Sequence, residues 1–331
     1  MKAMLMTAVG DPDVLRFQEI AEPEISAATQ IKIKLQAAGV NPIDTKIRRH
    51  GVFYDQPLPT VLGCDGAGIV VETGTAAHQF KVGDQVWFFH GGLGREPGNY
   101  AEYTVLDERW VSASPKTFSF IEAAAAPLVL ITAYGALFDR GGLQAGQTVL
   151  IHAGAGGVGH VAIQLAKLKG ARVITTVSSG QKAEFVKSLG ADEAVIYSQD
   201  GFAAAVNDLT EGKGADLVLD TVGSAVFKES IAVTAHFGRL ITLLDPGELS
   251  LSEARMRNLL IGFELILTPM LRDLPVARDK HIAILKHCAS WADQGLLKLH
   301  VSKQFPLEAA AEAHRLIEAG HTTGKIVLTI S

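Results

Sequence analysis

Gly154-Ala155-Gly156-Gly157-Val158-Gly159 follows directly on the apolar run Thr148-Val149-Leu150-Ile151. The pattern is GxGxxG after a strand. A helix is expected next, with Val158, Ala162, Leu165 and Ala166 on one face at helical spacing. Each glycine has a physical use in such a unit. Gly154 permits a tight turn, Gly156 lets the backbone approach a pyrophosphate, and Gly159 lets the helix pack closely on the sheet. The helix N-terminus, at Gly157 and Val158, then offers free N–H groups to the phosphates. Alone the motif is a Gly-rich turn; between a strand and a helix it is a dinucleotide cradle.

The end of the next strand selects the cofactor. A site for NAD places an Asp or Glu there to bind the ribose hydroxyls. This chain has Thr176-Val177-Ser178-Ser179-Gly180-Gln181-Lys182, with no acid before Glu184. Two hydroxyls, on Ser178 and Ser179, and the ammonium of Lys182 suit a 2′-phosphate, so NADPH is the expected cofactor. The same residues would also serve a solvated loop with an N-cap serine and a surface lysine.

The elements that must position these groups can be read along the chain. Its 331 residues are enough for about two domains. Apolar residues make up 48% and charged residues 20%, which excludes a disordered or fibrous chain. The net charge of -5 supplies no field for nucleic acid or an anionic membrane. Cys64 and Cys288 are the two cysteines, too few for a disulfide framework or a multi-cysteine zinc site. Together with an N-terminus that meets Asp11 and Pro12 too soon for a signal peptide, they point to a reducing, cytoplasmic setting. The longest apolar stretch, 123–138, is shorter than a membrane span and contains Pro127.

Up to about residue 110 the chain is β-rich. Gln30–Leu35 alternates with period two, and 66–71, 84–89 and 101–105 are further strand candidates. Residues 121–138 suit a helix that Pro127 should break or kink. From Thr148 strands and helices alternate, with β-type runs at 148–151, 172–177, 194–196, 216–219, 239–243 and 263–267. That alternation implies a parallel, doubly wound sheet. The tail turns mixed, and Gly324-Lys325-Ile326-Val327-Leu328 has the character of a strand returning to the first domain.

Several further segments carry a family likeness: Ala38-Gly39-Val40-Asn41-Pro42-Ile43-Asp44, Leu62-Gly63-Cys64-Asp65-Gly66-Ala67-Gly68, Val82-Gly83-Asp84-Gln85-Val86, Leu130-Ile131-Thr132-Ala133-Tyr134, Ser188-Leu189-Gly190-Ala191-Asp192 and Asp220-Thr221-Val222-Gly223. With the glycine loop they make the chain resemble the medium-chain dehydrogenase/reductase superfamily, and within it the zinc-free quinone oxidoreductases, over nearly its whole length. The resemblance implies an α/β fold: a GroES-like β-barrel catalytic domain, 1–125 and 268–331, and a Rossmann dinucleotide-binding domain, 126–267.

Zinc-dependent relatives carry a catalytic Cys where this chain has Asn41, a His-Glu pair at Cys64-Asp65, and a third ligand near Leu128. An amide and an aliphatic side chain are not ordinary zinc ligands, so no metal is expected. Residues 90–99, where a structural zinc lobe would lie, contain no cysteine and are expected to form a loop at the substrate cleft. What remains is metal-free hydride transfer from the nicotinamide to a quinone or an α,β-unsaturated carbonyl. The protein must orient two flat rings and stabilise a developing oxyanion. By resemblance the Asn41 amide donates to that oxygen; without it, Asn-Pro is a turn signal. Tyr54 could donate a bond or a proton, or simply pack beside Phe53. By resemblance, too, Thr132 lies beside the nicotinamide and Lys325 is a second cofactor contact. His152 and Cys288 suit packed positions, and Asp44 an orienting one.

Two other functions fit the same residues. One is an enoyl-thioester reductase acting on acyl-CoA substrates, for which Arg48, Arg49 and Arg95 could serve an anionic arm. The other is a non-catalytic NADPH-binding sensor or crystallin-like protein. The apolar run Leu259–Leu267, expected at a sheet edge, predicts a homodimer paired across a two-fold axis.

Overall fold

A computed structural model describes residues 1–54, 58–197 and 201–331. The chain divides into two compact units, Met1–Leu128 with Leu267–Ser331, and Val129–Ile266. No helix among the described residues is long and apolar enough to cross a membrane.

The first unit is built on the strand Gln30–Val40. One edge of it pairs with Asp65–Thr73. The other pairs with Tyr103–Asp107 along its first half and with Lys325–Thr329 along its second, all antiparallel. Val301–Pro306, Gln85–Phe89 and Ser112–Ala113 complete this sheet. A smaller sheet joins Leu15–Glu19, Lys2–Met6 and Thr60–Val61. The central strand runs five residues past the predicted end at Leu35. Its alternation fades there because Ala37, Ala38, Gly39 and Val40 are all buried, so neither face needs polar residues. The tail strand returns to this unit as the sequence suggested.

Pro127 ends one helix and starts another. Phe120–Ala125 stops before it, and Pro127–Tyr134 begins on it, where a missing N–H costs nothing. Asn41-Pro42, a turn signal in the sequence, starts the helix Pro42–His50.

The second unit is a six-stranded parallel sheet. Its order is Glu193–Ile196, Arg172–Val177, Thr148–Ile151, Ala215–Asp220, Thr234–Thr242 and Leu260–Phe263. The helices Gly157–Leu168, Gly180–Ser188, Ala203–Leu209 and Ser224–Val233 connect the strands. Leu150, Ile174, Val218, Phe227 and Leu240 are buried in its core. The strand order reverses beside Thr148–Ile151, and the glycine loop leaves the carboxyl end of that strand, where such sheets bind ligands. The last strand is Leu260–Phe263, not 263–267: its register is fixed by pairing Arg239 with Leu260 and Thr242 with Phe263. The apolar run was too uniform to mark where pairing stops.

Candidate functional site

In the second unit the chain leaves Ile151 through His152 and Ala153. Ala153 takes the left-handed conformation, φ 50°. The strain expected at Gly154 therefore falls one residue earlier. Gly154 is needed for a different reason. The Thr175 hydroxyl, held by the Ile151 carbonyl at 2.7 Å, fills the place where a Cβ on Gly154 would stand. Likewise, a Cβ on Gly159 would overlap the Ala153 carbonyl. Gly156 precedes the helix Gly157–Leu168, and no side chain caps its first turn. The N–H groups around Val158 and Gly159 thus have no side-chain competitor for an anion. This is a cradle that side chains would fill, and it fits a pyrophosphate.

The strand Arg172–Val177 delivers Ser178 to the surface and Ser179 to the start of the helix Gly180–Ser188. The Ser179 hydroxyl accepts the Lys182 backbone N–H at 3.3 Å, so it caps the helix and keeps its own proton to donate. Lys182 is half-buried in the first turn, and its ammonium makes no ion pair among the described residues. Thr132 is buried in the helix Pro127–Tyr134. His152 is packed, as expected. It is bonded to the Thr176 and Ser230 hydroxyls at 3.1 and 2.9 Å, and burial pushes its pKa down to about 4.

In the first unit the structure brings Asn41 and Lys325 together. Asn41 precedes Pro42 at the head of its helix, and Asp44, at the third helical position, accepts the Asn41 backbone N–H at 2.8 Å. The Asn41 side chain is anchored by residues outside the helix. Its Nδ2 donates to Asp65 Oδ2 at 2.8 Å, and its Oδ1 accepts from the Lys325 ammonium. Lys325 also donates to the Val40 carbonyl at 3.1 Å. Asp65 Oδ1 accepts from the Leu128 backbone N–H at 2.9 Å. Gly39 makes room for this cluster: a Cβ there would overlap the Ala124 carbonyl and crowd Asp65.

All of these side chains are buried. Burial pushes Asp44 up to about 6, against Asn41, Tyr100 and Lys325, which favour its charge. It pushes Asp65 up to about 7, opposed first by Lys325. The same burial lowers Lys325, with Asp65 and Asp44 holding it up. The Cys64 thiol is pushed well up. One atom and one N–H in this cluster are left open. Asp44 Oδ1 has none, and the second N–H of the Asn41 amide has no acceptor among the described residues. A buried donor and acceptor left open point to a group the chain itself does not supply.

A line of hydrogen bonds runs from this cluster towards the surface. Tyr100 donates to Asp44 at 3.0 Å. His314 Nδ1 accepts from Arg48 Nε at 3.3 Å, so its proton sits on Nε2, 3.3 Å from the Tyr100 oxygen. Arg48 is also paired with Glu318. Burial pushes His314 down to about 3, which keeps it neutral. Asp65, Tyr100 and His314 were missed as partners because they are far from Asn41 in sequence. The Asn-Pro-x-Asp spacing of a capped helix was a signal that could have revealed the role of Asp44.

Tyr54 belongs to a different cluster. Its hydroxyl donates to the Met270 carbonyl at 3.0 Å, and Arg95 lies over its ring at 4.5 Å. It lines a cavity of about 40 Å³ with Leu93, Glu96, Met270 and Arg278. His90 beside it is buried and pushed down to about 3, with Nδ1 accepting from Arg278 at 2.7 Å. The segment 90–99 is tied back by Asn99, whose Nδ2 donates to the Gly63 and His90 carbonyls. Among the described residues no group of three or more His, Cys, Asp or Glu could hold a metal ion.

Residues 27–116 match the alcohol dehydrogenase GroES-like domain family, and 189–328 match the zinc-binding dehydrogenase family. The chain is 34% identical to a quinone oxidoreductase of Pseudomonas aeruginosa, covering 99% of each. It is 35% identical to a 2-methylene-furan-3-one reductase of Solanum lycopersicum, over 99% of this chain and 79% of that one. Among solved structures, it superposes on the Escherichia coli quinone oxidoreductase complexed with NADPH at a TM-score of 0.87 and 27% identity, over 99% of this chain and 100% of that one.

Proposed function

Because the chain belongs to the quinone oxidoreductases of the medium-chain dehydrogenase/reductase superfamily, we propose that it is an NADPH-dependent reductase of quinones and α,β-unsaturated carbonyls. The observation that carries this reading is the Asn41 amide, locked by Asp65 and Lys325 with one buried N–H left over. That N–H is the donor an oxyanion developing on the acceptor would use. Tyr54 is proposed at the substrate end of the same unit.

Gly154, Gly156, Gly157, Val158 and Gly159 would hold the pyrophosphate, and Ser178, Ser179 and Lys182 the 2′-phosphate. Thr132 would contact the nicotinamide. Bound NADPH supplies the hydride. The residues of the chain orient the acceptor, hold its oxygen and keep the amide from turning. Quinones and enones are already electrophilic, so no Lewis acid is needed. Asn41, Cys64 and Leu128, at the positions where zinc-dependent relatives carry ligands, support a metal-free reaction. Extensively dialysed protein should hold far less than one zinc per chain and remain active.

A homodimer is supported by the edge strand Leu260–Phe263, on which Leu260 and Phe263 are 60% and 57% exposed. Two buried, unpaired cysteines are in keeping with a reducing, cytoplasmic setting. The test of function is turnover of simple quinones, 2-alkenals, cyclic enones and enoyl-CoA esters with NADPH. Quinones or enones should be reduced. Reduction of enoyl-CoA esters alone, or tight NADPH binding with no turnover of any of them, would replace this reading.

A further inference from the structure

Lys325 is a cation held among buried acids rather than in an open cleft. Only 3% of it is exposed, while Asn41, Asp44 and Asp65 are fully buried. Asp44 and Asp65 would repel each other if both were charged, and the Lys325 ammonium favours the charged form of both. Its bonds go to the Asn41 amide oxygen and the Val40 carbonyl, both at the head of the helix Pro42–His50.

An amide can be turned end for end at little cost unless its neighbours forbid it. Here they do. An ammonium can only donate, so the face towards Lys325 must be the oxygen. Asp65 accepts on the other side, so that face must be the nitrogen. A cation on the oxygen also draws electron density from the nitrogen and makes both N–H groups stronger donors.

We propose that Lys325 is a positioning residue for reduction: it fixes the orientation of the Asn41 amide and acts on the substrate through Asn41, not by holding the cofactor. The proposal rests on the reading that Asn41 serves the acceptor oxygen, and it can be tested both with and without turnover. The chain Asp44–Tyr100–His314–Arg48 supports it by holding the helix that carries Asn41.

The experiment compares wild type, Asn41→Ala, Lys325→Met and the double variant. At saturating NADPH, Lys325→Met should lower kcat for a quinone by about tenfold or more, the loss of one well-placed donor. Its Kd for NADPH, from fluorescence titration, should stay within about twofold of wild type. The double variant should be no slower than Asn41→Ala, because both changes disable one device. Multiplying losses in the double variant would overturn the proposal. So would a Kd weakened about tenfold with kcat retained.

A readout without turnover uses protein labelled with ¹⁵N-asparagine, the Asn41 side-chain signal being identified by its loss in Asn41→Ala. Solvent exchange of that NH₂ should be slow in wild type and at least about tenfold faster in Lys325→Met. Unchanged exchange contradicts the proposal even if the enzyme proves to have another substrate. Conversely, fast exchange in Lys325→Met with no quinone or enone turnover by wild type would remove the functional reading and leave the positioning intact. Should Lys325→Met fail to fold, Asp65→Ala removes the opposite anchor, leaving no side-chain acceptor for Asn41 Nδ2. It should give the same acceleration of exchange, and unchanged exchange there counts against the proposal.

Discussion

Lys325 and Asn41, 284 residues apart in the chain, meet ammonium to amide oxygen at the head of the helix Pro42–His50. The strand Lys325–Thr329 makes this possible by pairing antiparallel with the end of Gln30–Val40, Ile326 against Val40. The last strand of the chain thereby sets the geometry of a residue near its start.

Gly154→Ala should destabilise the second unit. The added methyl meets the Thr175 hydroxyl, which cannot retreat without losing the Ile151 carbonyl. Overpacking of this kind costs about 1–3 kcal/mol. Urea unfolding of Gly154→Ala, Thr175→Ala and the pair provides the check. The pair should recover part of the loss; a pair that simply adds the two losses would show that the methyl clashes elsewhere.

Stability should fall steeply in mild acid. His90 and His314 are pushed down to about 3, and His152 and His281 to about 4, from 6.5. A group whose folded pKa is depressed stabilises fully above its unfolded pKa and loses that contribution as pH falls. Asp44 and Asp65, raised to about 6 and 7, act the other way: their contribution is lost as pH rises through those values. Between pH 6 and 5 the histidines prevail, with a net uptake of about two protons on unfolding. That corresponds to about 3 kcal/mol per pH unit. Urea midpoints at pH 7, 6 and 5 measure it, and a flat profile would mean that these histidines are not held neutral.

Leu260→Lys should weaken self-association. Leu260 lies on the open edge of the six-stranded sheet, and a lysine there blunts strand pairing. Light scattering should give wild type about twice the 35.2 kDa chain mass, and the variant should move towards one chain on dilution. A wild type that is monomeric at micromolar concentration removes the dimer.

What the sequence disclosed was mostly local. The glycine loop could be placed because strand, turn and helix follow one another between Thr148 and Leu168, and Ser178, Ser179 and Lys182 came with it. Even there the strained position was assigned to Gly154 when Ala153 bears it, since the reason for Gly154 is a threonine on the neighbouring strand. Asn41 was picked out, but its surroundings were not. Asp65 and Lys325 reach it, and Tyr100 and His314 reach Asp44 and Arg48, only through sheet pairing and helix packing, which leave no periodic trace. Asn-Pro signals a turn, yet the same pair followed by Asp44 is also the start of a capped helix.

Cofactor preference tests the account most directly. Ser178, Ser179 and Lys182 stand where an acid would be needed to hold the ribose of NADH, and the Lys182 ammonium has no ion-pair partner among the described residues. A partly exposed lysine contributes about 1 kcal/mol to a phosphate and a well-placed charge-assisted hydrogen bond about 1.5–3 kcal/mol. Together they favour NADPH on the order of 10²-fold. The measurement is kcat/KM for NADPH and NADH with a simple quinone, in wild type, Lys182→Ala and Ser178→Asp. The account predicts NADPH preference in wild type, a loss confined to NADPH in Lys182→Ala, and a move towards NADH in Ser178→Asp. Equal or better use of NADH by wild type, or equal losses for both cofactors in Lys182→Ala, would contradict it.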